Sequence, residues 1–206
     1  MRRRLLKRAL DLLVAVPLLV LSLPVQAVVA LVVRRRLGSP VLFRQERPGR
    51  DGRPFTLVKF RTMLHVNPEL GLVDDANRMT DLGRFLRATS LDELPTLWNV
   101  VRGDMSIVGP RPLLMSYLPL YTAIELRRHD VRPGITGLAQ VSGRNAIAWD
   151  DRLRLDVEYV EAQSLWLDLW IIGRTIGSVV GRQGISAPEH VTMPLLDRPL
   201  RDRTTS

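Results

Sequence analysis

From Leu12 to Val33 the chain passes 22 residues without a charged side chain. Cations close both ends: Arg2, Arg3, Arg4, Lys7 and Arg8 before the run, Arg34, Arg35 and Arg36 after it. Roughly 20 apolar residues span a bilayer core, so the run is long enough to cross one as a helix. A cleaved signal peptide fits poorly, because the run ends in a triple arginine rather than a small-residue cleavage site. A simple span also fits poorly. Cytoplasmic loops collect Lys and Arg, and a span would carry one of the two clusters to the other side. Pro24 lies near the middle; it has no N–H, and its ring clashes with the Val20 carbonyl. Broken there, the halves are about 12 and 9 residues, or roughly 18 and 14 Å, and neither crosses a core of about 30 Å. A helix-break-helix that enters and leaves on the cytoplasmic face meets both facts, with Ser22 able to bond back near the break. A proline-kinked span, with Pro17 as a second kink, and a buried soluble helix are the alternatives.

The chain has 206 residues, enough for one domain with a core plus an appendage. Its net charge of +9 points to an anionic partner: nucleic acid, an anionic membrane surface or a phosphorylated substrate. It has no cysteine, which excludes disulfides, thiolate metal sites and a cysteine nucleophile. His65, His129 and His190 are far apart in sequence, which argues against a histidine-built metal cluster. Nucleic-acid binding would want aromatics interleaved with the cations for stacking, and aromatics are sparse.

Beyond residue 36 the pattern predicts a mainly α fold with a small β-hairpin. Val41–Gln45 and Pro54–Met63 alternate as strands around the turn 46–52. Lys59 and Arg61, two apart, are placed on one strand face. Thr80–Arg87 reads as a short helix, and Ser90 as the start of another over Leu91 to about Val101. Residues 148–163 and 165–180 read as two amphipathic helices. The second carries Trp166 and Trp170, suited to a core or to a bilayer interface. Three parts are expected: residues 1–36 in the membrane, 37–182 as the catalytic unit and 183–206 as a loose tail.

The chemistry centres on Ser90-Leu91-Asp92-Glu93-Leu94-Pro95. Ser90-x-x-Glu93 is a capping box, so helix initiation alone explains the pattern. The same geometry would hold two carboxylates at a helix N-terminus, among Arg84, Arg87, Arg102 and Arg111. Pro110-Arg111-Pro112 restricts its own backbone and aims an arginine as a phosphate fork would require. Two acids among arginines, below a membrane insertion, suit a phosphorylated substrate that is partly lipid.

Several blocks in one order carry a resemblance. They are Lys7-Arg8-Ala9-Leu10-Asp11, Arg47-Pro48-Gly49, Lys59-Phe60-Arg61-Thr62-Met63, Ser90 to Pro95, Gly103 to Pro112, Arg132 to Gly137 and Gln140-Val141-Ser142-Gly143-Arg144-Asn145. The chain resembles the bacterial monotopic polyprenol-phosphate phosphoglycosyl transferases, the initiating sugar transferases of glycoconjugate and exopolysaccharide assembly. The resemblance implies transfer of a sugar-1-phosphate from a UDP-sugar to polyprenol (undecaprenyl) phosphate with release of UMP. It implies Asp92 as nucleophile and metal ligand, Glu93 assisting the lipid phosphate or orienting the metal and its water, and Mg²⁺ as cofactor. Arg87, Arg111, Lys59, Arg61 and Arg144 would hold phosphate. A re-entrant helix broken at Pro24 and a place on the cytoplasmic face of a bacterial inner membrane follow, with membrane lipid as a partner and nucleic acid not. The family breaks its helix at a Ser-Pro pair; here Leu23 precedes the proline and the serine is one position earlier. The tail Gly184–Val191 resembles that of members using N-acetylated deoxyamino UDP-sugars. The two acids alone leave open a hydrolase, with water as acceptor.

Overall fold

The computed structural model describes residues 2–143, 147–180 and 195–198. A helix α1 (Arg2–Leu37) comes first, followed by strands β1 (Leu42–Pro48) and β2 (Pro54–Phe60). Then come α2 (Asp75–Arg78), α3 (Asp81–Ala88), α4 (Thr96–Arg102) and β3 (Ser106–Val108). The remainder is α5 (Ala123–Leu126), β4 (Gly134–Thr136), α6 (Leu138–Ser142), α7 (Trp149–Ala162) and α8 (Leu165–Val180). The expected mainly α fold with a small hairpin is present. β1 and β2 pair antiparallel from Leu42–Phe60 to Pro48–Pro54 around a turn at Gly49–Arg53.

The expected break at Pro24 does not divide the apolar segment. Helix α1 runs through both Pro17 and Pro24, and from Arg4 to Leu37 it is long and apolar enough to cross a membrane. A proline removes one N–H from the ladder and strains one turn. Local polar groups support this stretch: Ser22 Oγ donates to the Leu19 carbonyl at 3.0 Å, and Gln26 Nε2 donates to Ser22 Oγ at 2.9 Å.

Both ends of α1 pack on the same body. Near its start, Ala15 joins a core made by Leu97, Val100, Ile107, Tyr159 and Ile171. Near its end, Val29, Val33 and Leu37 pack with Phe60 and Leu86. Between these contacts Leu18, Leu21 and Leu23 stay exposed. The first end is also pinned by charge. Lys7 Nζ lies 3.1 Å from Asp11 and 3.1 Å from Asp168, and Asp11 accepts from Ser106 Oγ at 2.8 Å and Ile107 N at 3.0 Å.

A second, parallel pair, β3 with β4, was not expected from sequence. Three residues per strand are too few to show an alternation. Its spacing depends on Gly109 and Gly134: a Cβ built on Gly134 would lie 2.1 Å from the Gly109 nitrogen.

The tail is not loose throughout. Leu196 is buried with Leu113, Tyr117, Tyr121 and Leu153, and Arg198 Nη1 donates to Glu125 at 2.8 Å. Its apolar partners come from two distant segments, residues 113–121 and 149–153, so no local periodicity announces the contact. The stretch Gly184–Val191 lies outside the described residues.

Candidate active site

The site is built where α3, α4 and β2 meet. Strand β2 keeps one edge free of β1, and α4 binds that edge with side chains. Thr96 Oγ1 donates to the Val58 carbonyl at 2.9 Å. Asn99 takes both groups of a strand partner: its Oδ1 accepts from Val58 N at 3.1 Å, and its Nδ2 donates to the Thr56 carbonyl at 2.7 Å. Asn99 is 1% exposed, and burying an amide there is tolerable because its groups are bonded. This docking brings the turn just before α4 against β2, the strand that carries Lys59.

That segment is not the expected helix start. Residues Leu91–Glu93 form one 3₁₀ turn, and α4 begins only at Thr96, with Pro95 preceding it. Ser90 adopts a left-handed backbone, φ 57°, and its side chain caps nothing. The capping-box expectation fails because a left-handed residue directs the chain away from the helix that its side chain would have to cap. A capping box does form at α5, between Thr122 and Glu125. Thr80 caps α3 by accepting from Gly83 N at 3.0 Å. Asp92 and Glu93 are therefore placed by a strained turn and by α4's grip on β2, not by a helix dipole.

Asp92 is 4% exposed. Burial and the adjacent Glu93 push its carboxyl up to about 6, while Lys59, Arg111 and Arg87 pull the other way. Lys59 is pushed down to about 8, chiefly by burial, and Asp92 opposes the shift. Lys59, Arg87, Arg111 and both acids thus share one electrostatic neighbourhood. Arg87 is oriented by its Nε, which donates to Thr62 Oγ1 at 3.1 Å. Arg111 Nη2 donates to Glu93 Oε1 at 2.5 Å. That pair is partly open, with side-chain exposures of 42% and 22%, so it contributes about 1 kcal/mol or less. A substrate phosphate can displace it at little cost.

The backbone that carries Arg111 is held from behind. Arg128 Nη2 donates to the Arg111 carbonyl at 2.7 Å, and the same guanidinium pairs with the buried Asp156 through Nη2 at 2.7 Å and Nε at 3.1 Å.

Of the expected phosphate ligands, Lys59, Arg87 and Arg111 come together at Asp92 and Glu93. Arg61 does not. Strand β2 ends at Phe60, so Arg61 leaves the face it was expected to share with Lys59. Its Nη2 donates to the carbonyls of Leu37 at 2.5 Å and Gly38 at 2.6 Å. It closes the end of α1, whose last carbonyls have no helical partners, and is 6% exposed. Arg144 lies outside the described residues. Sequence reading missed Arg47 and Arg152, whose charges bear on Arg111; burial lowers both, Arg47 to about 10. The Arg47-Pro48-Gly49 motif was the available signal for the first. It also missed the positioning residues Thr96, Asn99, Arg128 and Asp156, each of which acts on a segment remote in sequence.

Trp166 and Trp170 are 79% and 47% exposed, which removes the core alternative for them. They share helix α8 with exposed Leu165, Leu169 and Ile176.

Among the described residues no three potential ligands of the His/Cys/Asp/Glu type cluster as a metal cage. Two adjacent carboxylates, one tied to Arg111, still fit magnesium, which commonly takes one or two carboxylates and completes its shell with water and substrate phosphate.

Comparison with known proteins gives the family. Residues 2–182 match the bacterial sugar transferase family. The chain is 52% identical over 188 residues to the uncharacterized sugar transferase EpsL of Bacillus subtilis (strain 168), covering 91% of this chain and 93% of that protein. It is 42% identical to a UDP-glucose:undecaprenyl-phosphate glucose-1-phosphate transferase of Caulobacter vibrioides, covering 84% of this chain and 69% of that protein. It is 40% identical to a transferase of the same name from Klebsiella pneumoniae, covering 82% of this chain. In that last case the chain spans only 39% of the relative's length, and it spans 42% of a UDP-galactose-lipid carrier transferase of Erwinia amylovora. The chain belongs to the bacterial sugar transferase family.

Proposed function

We propose that this chain transfers a sugar-1-phosphate from a UDP-sugar to undecaprenyl phosphate through a phosphosugar intermediate on Asp92. The observation that carries the reading is a buried carboxyl, Asp92, with Lys59, Arg87 and Arg111 acting on its charge. An Asp92 oxygen attacks the phosphorus that bears the sugar; the bridging P–O bond breaks and UMP leaves with the bonding pair. An oxygen of the lipid phosphate then attacks the same phosphorus, the Asp92–phosphorus bond breaks, and the free carboxylate returns. Neither displacement needs an external oxidant or reductant. Lys59, Arg87 and Arg111 offset charge on the phosphoryl oxygens in both steps. Asp92, with water and substrate oxygens, would hold Mg²⁺. When bound, the ion supplies charge neutralisation on the diphosphate.

We place α1 in the cytoplasmic leaflet of the inner membrane, with both ends on one side. What supports this is that Lys7 and Asp11 at one end and Leu37 at the other contact the same body. A straight helix of this length reaches about 54 Å, and one that crossed the bilayer would carry one end away from that body. The exposed apolar face of α8 suits the headgroup boundary. The relatives' names carry glucose and galactose.

The test is UMP release from a panel of UDP-sugars with and without undecaprenyl phosphate. Turnover that needs the lipid supports the transferase. Sustained UMP release without it would make the protein a nucleotide-sugar hydrolase.

A further inference from the structure

An apolar groove of about 220 Å³ separates the second half of α1 from α3 and the turn that follows it. Val25, Val28 and Val32 form one wall; Leu82, Phe85 and Leu91 form the other. Drug-sized ligand pockets hold about 300–1,000 Å³, so this one suits a slender chain rather than a ring system. The lining presents no polar surface, so a carbohydrate or nucleotide gains nothing there.

The groove's position selects its occupant. Leu86 and Leu91, both at the groove, immediately precede Arg87 and Asp92 in the chain. The groove's lining thus comes within one residue of the anion site at two points, and its far wall belongs to the helix that is apolar enough for a bilayer. A molecule with a phosphate at Arg87, Lys59 and Arg111 and a hydrocarbon chain attached to it would lie along both surfaces at once. The exposures of Phe85, 54%, and Val28, 62%, leave both walls open to such a chain from the lipid side.

We infer that this groove binds the first isoprene units of the prenyl phosphate acceptor and so aims its phosphate at Asp92. The inference rests on the transferase reading above and extends it to the acceptor's chain. The groove selects for the hydrocarbon next to the phosphate, whereas the rest of the chain remains in bilayer.

Two variants test it, Val28→Trp to fill the groove and Phe85→Ala to remove a wall, with Leu21→Trp as an exposed control on the same helix outside the groove. The full chain is assayed in nanodiscs. KM for undecaprenyl phosphate rises about tenfold in both groove variants, equivalent to about 1.4 kcal/mol. The rate of UMP exchange into UDP-sugar without acceptor stays at the wild-type level, which also shows that the variants are folded. The Leu21→Trp control keeps the wild-type KM. An acceptor KM within twofold of wild type in both groove variants overturns the inference while leaving the transferase reading intact. If the wild-type chain shows neither exchange nor transfer, the functional reading fails, and direct binding of undecaprenyl phosphate decides the groove separately. Weaker binding by Val28→Trp than by Leu21→Trp upholds it, and equal binding overturns it.

Discussion

Arg128 holds Arg111 by its backbone: Nη2 of Arg128 donates to the Arg111 carbonyl oxygen at 2.7 Å while the same guanidinium is paired with Asp156. Arg128 and Asp156 are 1% and 2% exposed, so the pair is a buried device for placing a partly open arginine. Removing one partner strands a buried charge, at a cost of roughly 3–5 kcal/mol. Asp156→Asn should lower the melting temperature steeply. The double replacement Arg128→Met with Asp156→Leu should recover most of that stability, because no charge remains buried. It should still raise KM for the UDP-sugar, because the Arg111 carbonyl has lost its donor. Melting curves and steady-state kinetics on both variants check this.

Replacing the nucleophile should separate activity from stability. Asp92→Asn should reduce exchange of UMP into UDP-sugar by about a thousandfold or more. It should also stabilise the fold. The Asp92 carboxyl titrates near 6 in the fold and near 3.8 otherwise, so its ionised form is disfavoured by folding. Stability from this group is present below the unfolded value and is lost as pH rises through about 6. A neutral amide avoids that loss, worth roughly 2–3 kcal/mol at pH 7. Denaturant unfolding at pH 7 reads the gain. An unchanged exchange rate would remove Asp92 from the nucleophile's role.

Activity should be bell-shaped in pH. Asp92 attacks as the carboxylate, so kcat/KM for UDP-sugar rises as pH passes about 6. Lys59 helps only as the ammonium, and burial has lowered it to about 8, so the rate falls above that value. In Lys59→Arg the alkaline limb should disappear below pH 10, because a guanidinium does not titrate there. A pH–rate profile on both proteins checks the assignment.

Arg61 should behave as a structural residue. Arg61→Ala leaves the carbonyls of Leu37 and Gly38 without their donor, a loss of about 2–3 kcal/mol. Its effect should appear in unfolding, with KM for UDP-sugar unchanged in the folded fraction. A KM increase as large as that of Arg87→Ala would return Arg61 to the phosphate site.

Glu93→Gln should test how far its carboxylate restrains Arg111. The pair is partly exposed and worth about 1 kcal/mol or less, so stability should hardly move. KM for UDP-sugar should fall or hold, because the guanidinium no longer has to leave a carboxylate. A lower kcat with that KM would mark Glu93 as a group that acts on the acceptor step. Separate measurement of UMP exchange and full transfer reads the difference.

Helices α7 and α8 and the hairpin were legible in the linear pattern because each repeats its period over enough residues to show one face, and α1 was legible as a long run without charge. The Asp92–Glu93 pair with Arg87, Arg111 and Lys59 was legible as a set of residue types, and the structure gathers all five. The β3–β4 pair, the Asn99 grip on β2 and the docking of Leu196 were not. Each joins segments distant in the chain and leaves no local period to mark it. Arg61 shows the same limit from the other side. Two cations two apart predict one strand face only if the strand continues, and β2 stops one residue short of Arg61.

By itself the order of residues determined which segments are apolar, which are amphipathic, and which side chains can carry phosphate chemistry, since those depend on composition and period along the chain. The tertiary structure alone decided that the acids sit on a 3₁₀ turn rather than a helix start, and that Arg61 closes α1 while Lys59 stays in the electrostatic neighbourhood of Asp92. Those outcomes follow from burial and from hydrogen bonds between segments tens of residues apart. Such bonds form only when the whole chain has removed the alternatives that water offers each polar group.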